Sequence, residues 1–302
     1  MFRKHRIGLA LGGGAARGLA HIGVLEVFRE NSIPVDVIAG TSMGAIIGAM
    51  YAADPDLNKL KNRLYGYLDS DAFRRARFDF LREEDKEEGE GIFYKFSYIL
   101  QKSIFYTLSI TKKSLMSEDT LMENITYLLD DINIEDTAIP FAVTTVDLDT
   151  GEEYIIKAGP LRTAVAASCA LPGIIPPVVF GERKLFDGGW INAVPVEQAL
   201  GCGADIVVGV EVSSGISEFK DPVNALDMVF RADTITRNAL AKEKMKSADF
   251  VIKPDLGHIH WADFTSIDKC IQKGRSETMR CINEIKNVIK WKRAKLFFRG
   301  VW

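Results

Sequence analysis

Residues 40–44 read Gly40-Thr41-Ser42-Met43-Gly44, directly after the apolar run Val35-Asp36-Val37-Ile38-Ala39. This G-x-S-x-G spacing, at the end of a predicted strand and the start of a predicted helix, can set a serine hydroxyl on a sharp turn. Gly40 and Gly44 leave room for the tight backbone. Ser42 then sits at a helix N-terminus, where unpaired N–H groups favour developing negative charge. A serine in that position can act as a nucleophile if a base and an oxyanion site are near it.

A second glycine cluster, Gly12-Gly13-Gly14-Ala15-Ala16-Arg17-Gly18, lies between another predicted strand and its helix. Backbone N–H groups from Gly12, Gly13 and Gly14 can converge there as an oxyanion hole. Arg17 can hold that loop or attract an anionic substrate. A nucleotide phosphate loop would need a Lys-Ser/Thr ending, and the dinucleotide fingerprint would need a glycine where Arg17 stands. Both nucleotide readings are weak.

The base is open at this point. His258 and His260 are the only histidines after the serine, and they flank no obvious partner. The alternative is a carboxylate. Phe186-Asp187-Gly188-Gly189 puts Asp187 at a strand end, able to point into a crevice. An Asp-Gly turn in which the carboxylate bonds its own backbone explains the same residues.

The positioning elements follow from apolar periodicity. Strands are predicted at Ile7–Leu11, Val35–Ala39, Phe141–Val146, Glu153–Ile156, Lys184–Phe186, Ile206–Val212 and Phe250–Ile252. Helices are predicted at Ala15–Glu30, Ala45–Ala53, Leu161–Ala167, Pro195–Leu200, Ala225–Lys246 and Ile267–Lys290. The alternation predicts βαβ units and a parallel sheet. Residues from about 56 to 120 break the rhythm. There an acidic stretch, Leu81 to Glu90, precedes the aromatic-rich Ile92 to Ile110, read as a helical insertion and candidate lid. The basic-aromatic end, Lys286 to Trp302, suits an anionic lipid surface.

The chain has 302 residues, 47% of them hydrophobic, and a formal net charge of −3. That balance argues against a dedicated nucleic-acid binder. Cys169, Cys202, Cys270 and Cys281 lack C-x-x-C spacing, and the histidines lack ligand spacing. No metal site or cofactor is expected, and the thiols read as reduced in a cytoplasmic protein. The basic start, Met1 to Arg6, resembles an export signal only superficially, because the apolar run after it holds Gly12-Gly13-Gly14 and then Arg17, which fits a structural turn better.

Three blocks together, Gly12-Gly13-Gly14-x-x-Arg17-Gly18, Gly40-Thr41-Ser42-Met43-Gly44 and Asp187-Gly188-Gly189, resemble the signatures of the patatin-like phospholipases. Ala166-Ala167-Ser168-Cys169-Ala170-Leu171-Pro172, with Pro176-Pro177, resembles a fourth. The resemblance implies a three-layer α/β/α fold with a mainly parallel sheet. It implies a Ser42–Asp187 dyad, with Gly12, Gly13 and Gly14 as oxyanion hole and Arg17, Gly40, Gly44 and Gly188 in support. Ser168 is read as a supporting residue.

The expected activity is acyl hydrolysis of phospholipid or related lipid esters through an acyl-enzyme, with no metal and so no sensitivity to chelators. An acyltransferase on the same dyad, or a membrane-associated regulatory protein, are the alternatives. Residues 6–215 are expected to form the catalytic core, 216–290 a helical part of the same domain and 291–302 a tail. A peripheral membrane surface is the expected partner besides the lipid, and the oligomeric state is left open.

Overall fold

The computed structural model describes residues 5–76, 114, 116–213, 215–216 and 225–299. The stretches Leu81 to Glu90 and Ile92 to Ile110, and the candidate lid with them, lie outside the described residues. The chain enters β1 (Ile7–Leu11), a 3-10 turn (Ala15–Leu19), α1 (Ala20–Glu30), β2 (Val37–Gly40) and α2 (Met43–Ala53). Helices α3 (Leu57–Leu68), α4 (Asp71–Ala76) and α5 (Glu118–Leu128) follow. Next come β3 (Phe141–Asp147), β4 (Glu153–Ile156), α6 (Leu161–Ser168), β5 (Val178–Phe180) and β6 (Arg183–Asp187). The chain closes with α7 (Val196–Gly201), β7 (Ile206–Val210), α8 (Ala225–Lys244), β8 (Phe250–Ile252) and α9 (Ile267–Arg299).

Strands β8, β7, β1, β2 and β3 run parallel in that spatial order. Every residue of β1, β2, β3 and β7 is buried. These apolar runs must be covered on both faces, as parallel strands are. Successive side chains point to opposite faces, so the core splits. Leu9, Leu11, Ile38 and Val210 join a large cluster with α1, α2 and α9. Ala10, Val37, Ala39 and Val207 face Val196 and Ala199 of α7. The result is a three-layer α/β/α fold.

The register around β3 decides where the site forms. Val143 pairs with Gly40 of β2 and also with Ile156 of β4, so β2 and β4 lie on opposite edges of β3. Thr145 pairs with Tyr154 of β4 and with Asp187 of β6, so β4 and β6 are also on opposite edges. Strands β2 and β6 therefore share one edge of β3 and run toward each other along it. Their ends, Gly40 and Asp187, sit opposite residues only two apart on β3.

Several sequence-predicted boundaries move. Residues 15–19 form a 3-10 turn before α1, and β5 was not predicted from sequence. The helix predicted to stop at Lys290 continues to Arg299, so residues 291–299 extend α9 instead of leaving it as a tail.

Candidate active site

The chain leaves β2 at Gly40 and turns through Thr41 into Ser42, whose φ is 54° and ψ −122°. A non-glycine residue rarely adopts that backbone, and holding it there costs on the order of 1–3 kcal/mol. Neighbouring contacts supply the constraint. The Ser42 N–H donates to Ser168 Oγ at 2.9 Å, and that hydroxyl donates to Thr144 O at 2.7 Å. Thr41 Oγ1 donates to Asn192 O at 3.0 Å. A Cβ on Gly44 would lie 2.1 Å from Leu11 O, so only glycine lets α2 start this close to β1. A Cβ on Gly40 would lie 2.5 Å from Gly44 O.

Asp187 ends β6, 2% exposed. Its Oδ1 accepts from Gly189 N at 2.7 Å, which is the Asp-Gly turn bond anticipated from the sequence. The Ser42 side chain lies near enough to the same carboxylate to favour its charged form. The turn therefore leaves the carboxylate within the influence of the serine. Burial pushes the Asp187 carboxyl up to about 6, opposed by the nearby Ser42 hydroxyl, by the bond from Gly189 and by the charge of Arg237. Gly188 permits the turn, because a Cβ there would lie 2.5 Å from Thr144 O.

The glycine loop differs from its expected use. Gly12 N donates to Val210 O and Gly13 N to Ala193 O, each at 3.0 Å. Both amides are spent on holding the loop to β7 and to the segment after Asp187, so neither is free for an oxyanion. The Gly14, Ala15 and Met43 amides donate to no group among the described residues. Ala15 (φ 46°) and Met43 both line the cleft beside Ser42. Among the three predicted glycines, then, only Gly14 keeps its amide available.

Arg17 ties the loop down. Its Nε donates to Ile259 O at 2.7 Å, and the neighbouring Ala16 N donates to Trp261 O at 2.8 Å. His21 is fully buried under the loop with Nε2 2.8 Å from Gly12 O. A carbonyl only accepts, so Nε2 carries the proton. Burial lowers the His21 pKa to about 4, with the Gly12 carbonyl pulling the other way. The histidine stays neutral and braces the loop. Cys169 lines the cleft near Asp187, and burial, then the Asp187 charge, keeps its thiol protonated.

Ser42 opens onto a cleft that is open to solvent and walled by Leu19, Ile46, Leu64, Ile125, Leu171 and Phe264. The wall is apolar apart from Tyr67 and Asn124. Phe264 and Trp261 come from the C-terminal third, and no motif announced them. Arg237 of α8 was also missed, because a single arginine in an amphipathic helix carries no signal. It lies over the Trp190 ring, 4.8 Å from the centroid, and its Nε donates to Asp233 at 2.7 Å. Among the described residues, no group of three or more His, Cys, Asp or Glu side chains could hold a metal ion. No helix among them is long and apolar enough to cross a membrane.

The sequence profile of the Patatin family, described as patatin-like phospholipase, matches residues 9–200. The chain belongs to that family. Lysophospholipase nte1 of Aspergillus fumigatus is 33% identical over 208 residues, which are 69% of this chain and 12% of that protein. The human patatin-like phospholipase domain-containing protein 6 is 31% identical over 210 residues, covering 69% of this chain and 13% of its own length. An uncharacterized NTE family protein of Mycobacterium tuberculosis is 30% identical over 210 residues, 49% of its length. The chain thus spans half or less of the length of these relatives. Among solved structures, VipD from Legionella pneumophila aligns with 93% of this chain and 67% of its own, at a TM-score of 0.48 and 14% identity. Arg237, α8 and α9 lie beyond the residues the family profile matches.

Proposed function

We propose that this patatin-like protein is a lipid acyl hydrolase that cleaves a carboxylic ester of a phospholipid or related lipid, with Ser42 as nucleophile and Asp187 as base. The observation that carries the reading is the buried Asp187 carboxylate, brought beside Ser42 where that serine opens onto an apolar cleft. Above about pH 6 that carboxylate is ionised and can take the serine proton as Oγ attacks the ester carbonyl carbon. The carbonyl π electrons move to oxygen. The Gly14, Ala15 and Met43 amides are the donors available to that oxyanion, and losing one such donor costs about 3–4 kcal/mol in hydrolases. Collapse expels the alcohol with the proton from Asp187 and leaves the acyl group on Ser42. Water then attacks, gives its proton to Asp187, and releases the fatty acid as Ser42 recovers its hydrogen.

Membrane-presented lipid is the substrate source this reading favours. Trp291, 59% exposed among Lys290, Lys292 and Lys295, is a candidate contact with an anionic surface.

The test is fatty-acid release from phospholipid vesicles and hydrolysis of a short aryl ester, with and without chelator. Wild type is expected to release acid in both conditions, and Ser42→Ala to release none. Activity retained by Ser42→Ala, or lost with chelator, would overturn the scheme. Transfer of the acyl group to an added alcohol in preference to water would replace hydrolase by acyltransferase.

A further inference from the structure

Among the described residues, the C-terminal half of helix α8 (Ala225–Lys244) is held on one side, while Phe230, nearer its start on that same side, is 57% exposed. Arg237 lies over Trp190, Lys244 Nζ donates to Glu153 at 3.1 Å, and Ala241 is buried. At 100° per residue these three positions fall on one side of the helix. On the opposite side, Ala225, Met228, Ala232, Ile235, Ala239 and Lys242 recur at alternating steps of three and four, and all six are exposed. Met228 is 51% and Ile235 47% exposed, and Val229 at 61% flanks them. This is the seam spacing of a helix that packs on another helix.

The seam has an internal symmetry. Alanines occupy one set of positions every seven residues, and the large side chains occupy the other set. When the helix is laid antiparallel on a copy of itself, about a two-fold axis between Asp233 and Thr234, every contact pairs large with small. Met228 meets Ala239 of the second copy, and Ile235 meets Ala232 of the second copy. The aliphatic stem of Lys242 meets Ala225 of the second copy. Small residues facing large ones let the axes approach to roughly 8–10 Å with the gaps filled. The charge pattern agrees. The first turn carries Asp227 and the last turn Lys242, which closes the seam, so an antiparallel pair brings the acidic start of one helix beside Lys242 of the other. A lipid-inserting face would need bulky side chains along its length. Here half the seam is alanine and its end is lysine, which favours a helix over a bilayer.

We propose that the exposed seam of α8 is a self-association surface, through which two copies of this chain pair as an isologous antiparallel dimer. The anchoring of the opposite side by Trp190 and Glu153 presents the seam in a fixed orientation.

The experiment combines mass with cross-linking on the intact chain. Light scattering at micromolar concentration and above is expected to give twice the 33.5 kDa chain mass. Ile235→Glu should raise the dimer dissociation constant about tenfold or more while leaving the thermal melt of the diluted protein unchanged. With a short bis-maleimide, copies bearing Ala232→Cys should cross-link to copies bearing Ile235→Cys, and Met228→Cys copies to Ala239→Cys copies. Met228→Cys and Ile235→Cys copies should not join each other beyond the wild-type background. A monomer at every concentration overturns the proposal. So does a dimer that survives Ile235→Glu or shows a different cross-link pattern. Binding of a monomer to phosphatidylcholine vesicles that is lost in Ile235→Glu would give the seam to lipid and equally overturn it. None of these outcomes depends on ester hydrolysis.

Discussion

The two halves of the candidate dyad are built by opposite means. Ser42 is placed by backbone. A strand, a strained turn and a helix start are forced together by glycines with no spare space, and the residues involved lie within five positions of one another. Asp187 is placed by long-range pairing, at the end of β6 on the same edge of β3 that β2 occupies. Its chemistry then comes from burial and from a cation on α8, a helix distant in sequence. Position is therefore fragile at the serine, whereas reactivity is adjustable at the aspartate.

Substitutions can break this contrast in graded ways. The largest effect is expected at Gly44→Ala. Its Cβ would lie 2.1 Å from Leu11 O, and backbone on both sides leaves little to give. A loss on the order of 4 kcal/mol, read by denaturant unfolding, is expected. An unchanged midpoint would show that the elbow yields.

Asp187→Asn should keep the fold and lower kcat/KM by about 10²–10⁴, the usual share of a general base. Its stability should move the other way. The folded carboxyl titrates near 6 against 3.8 unfolded, so the native state holds the extra proton between those values. Stability contributed by Asp187 therefore falls as pH rises through that window. Above it, the uncharged amide is expected to gain on the order of 2–3 kcal/mol over wild type, with the gain gone below about pH 4. Melting temperatures against pH would show the divergence, and parallel curves would contradict it.

Ser42→Gly relieves the strained backbone and removes the proposed nucleophile. An inactive protein more stable by about 1–2 kcal/mol is expected, whereas Ser42→Ala should gain none of this. Comparing the two melts separates strain from chemistry.

The smallest effect is expected at Arg237→Gln. Its guanidinium lowers the Asp187 pKa, so removing it should move the acid limb of the kcat/KM profile upward from about 6 by less than about one unit. Arg237→Lys should restore part of the shift. A change in KM alone would instead make Arg237 a contact to substrate.

Legibility followed the same division. The strands of the parallel core were readable because burial on both faces leaves near-continuous apolar runs, as in Ile7–Leu11 and Ile206–Val210. The elbow and the Asp187 turn were readable because glycine is required at specific steps. The spent amides of Gly12 and Gly13 were not readable. Their partners, Val210 O and Ala193 O, are brought in by pairing with β7 and by the turn after Asp187, which no local pattern encodes. The cleft wall from Trp261 and Phe264, and the cation at Arg237, were hidden for the same reason.

One pair in the cleft wall has a further consequence. Tyr67 and Asn124 are its polar members, yet the phenol donates to Asn124 Oδ1 at 2.9 Å and the amide donates to Thr120 O at 2.6 Å. Each has already spent its bond within the protein. A hydrocarbon tail entering here meets a surface that offers it contact area and little directional bonding. On the proposed function, selection among tails would then work as a sliding scale. Each added methylene contributes about 0.8 kcal/mol until the space is full, and no single length is singled out by a lock.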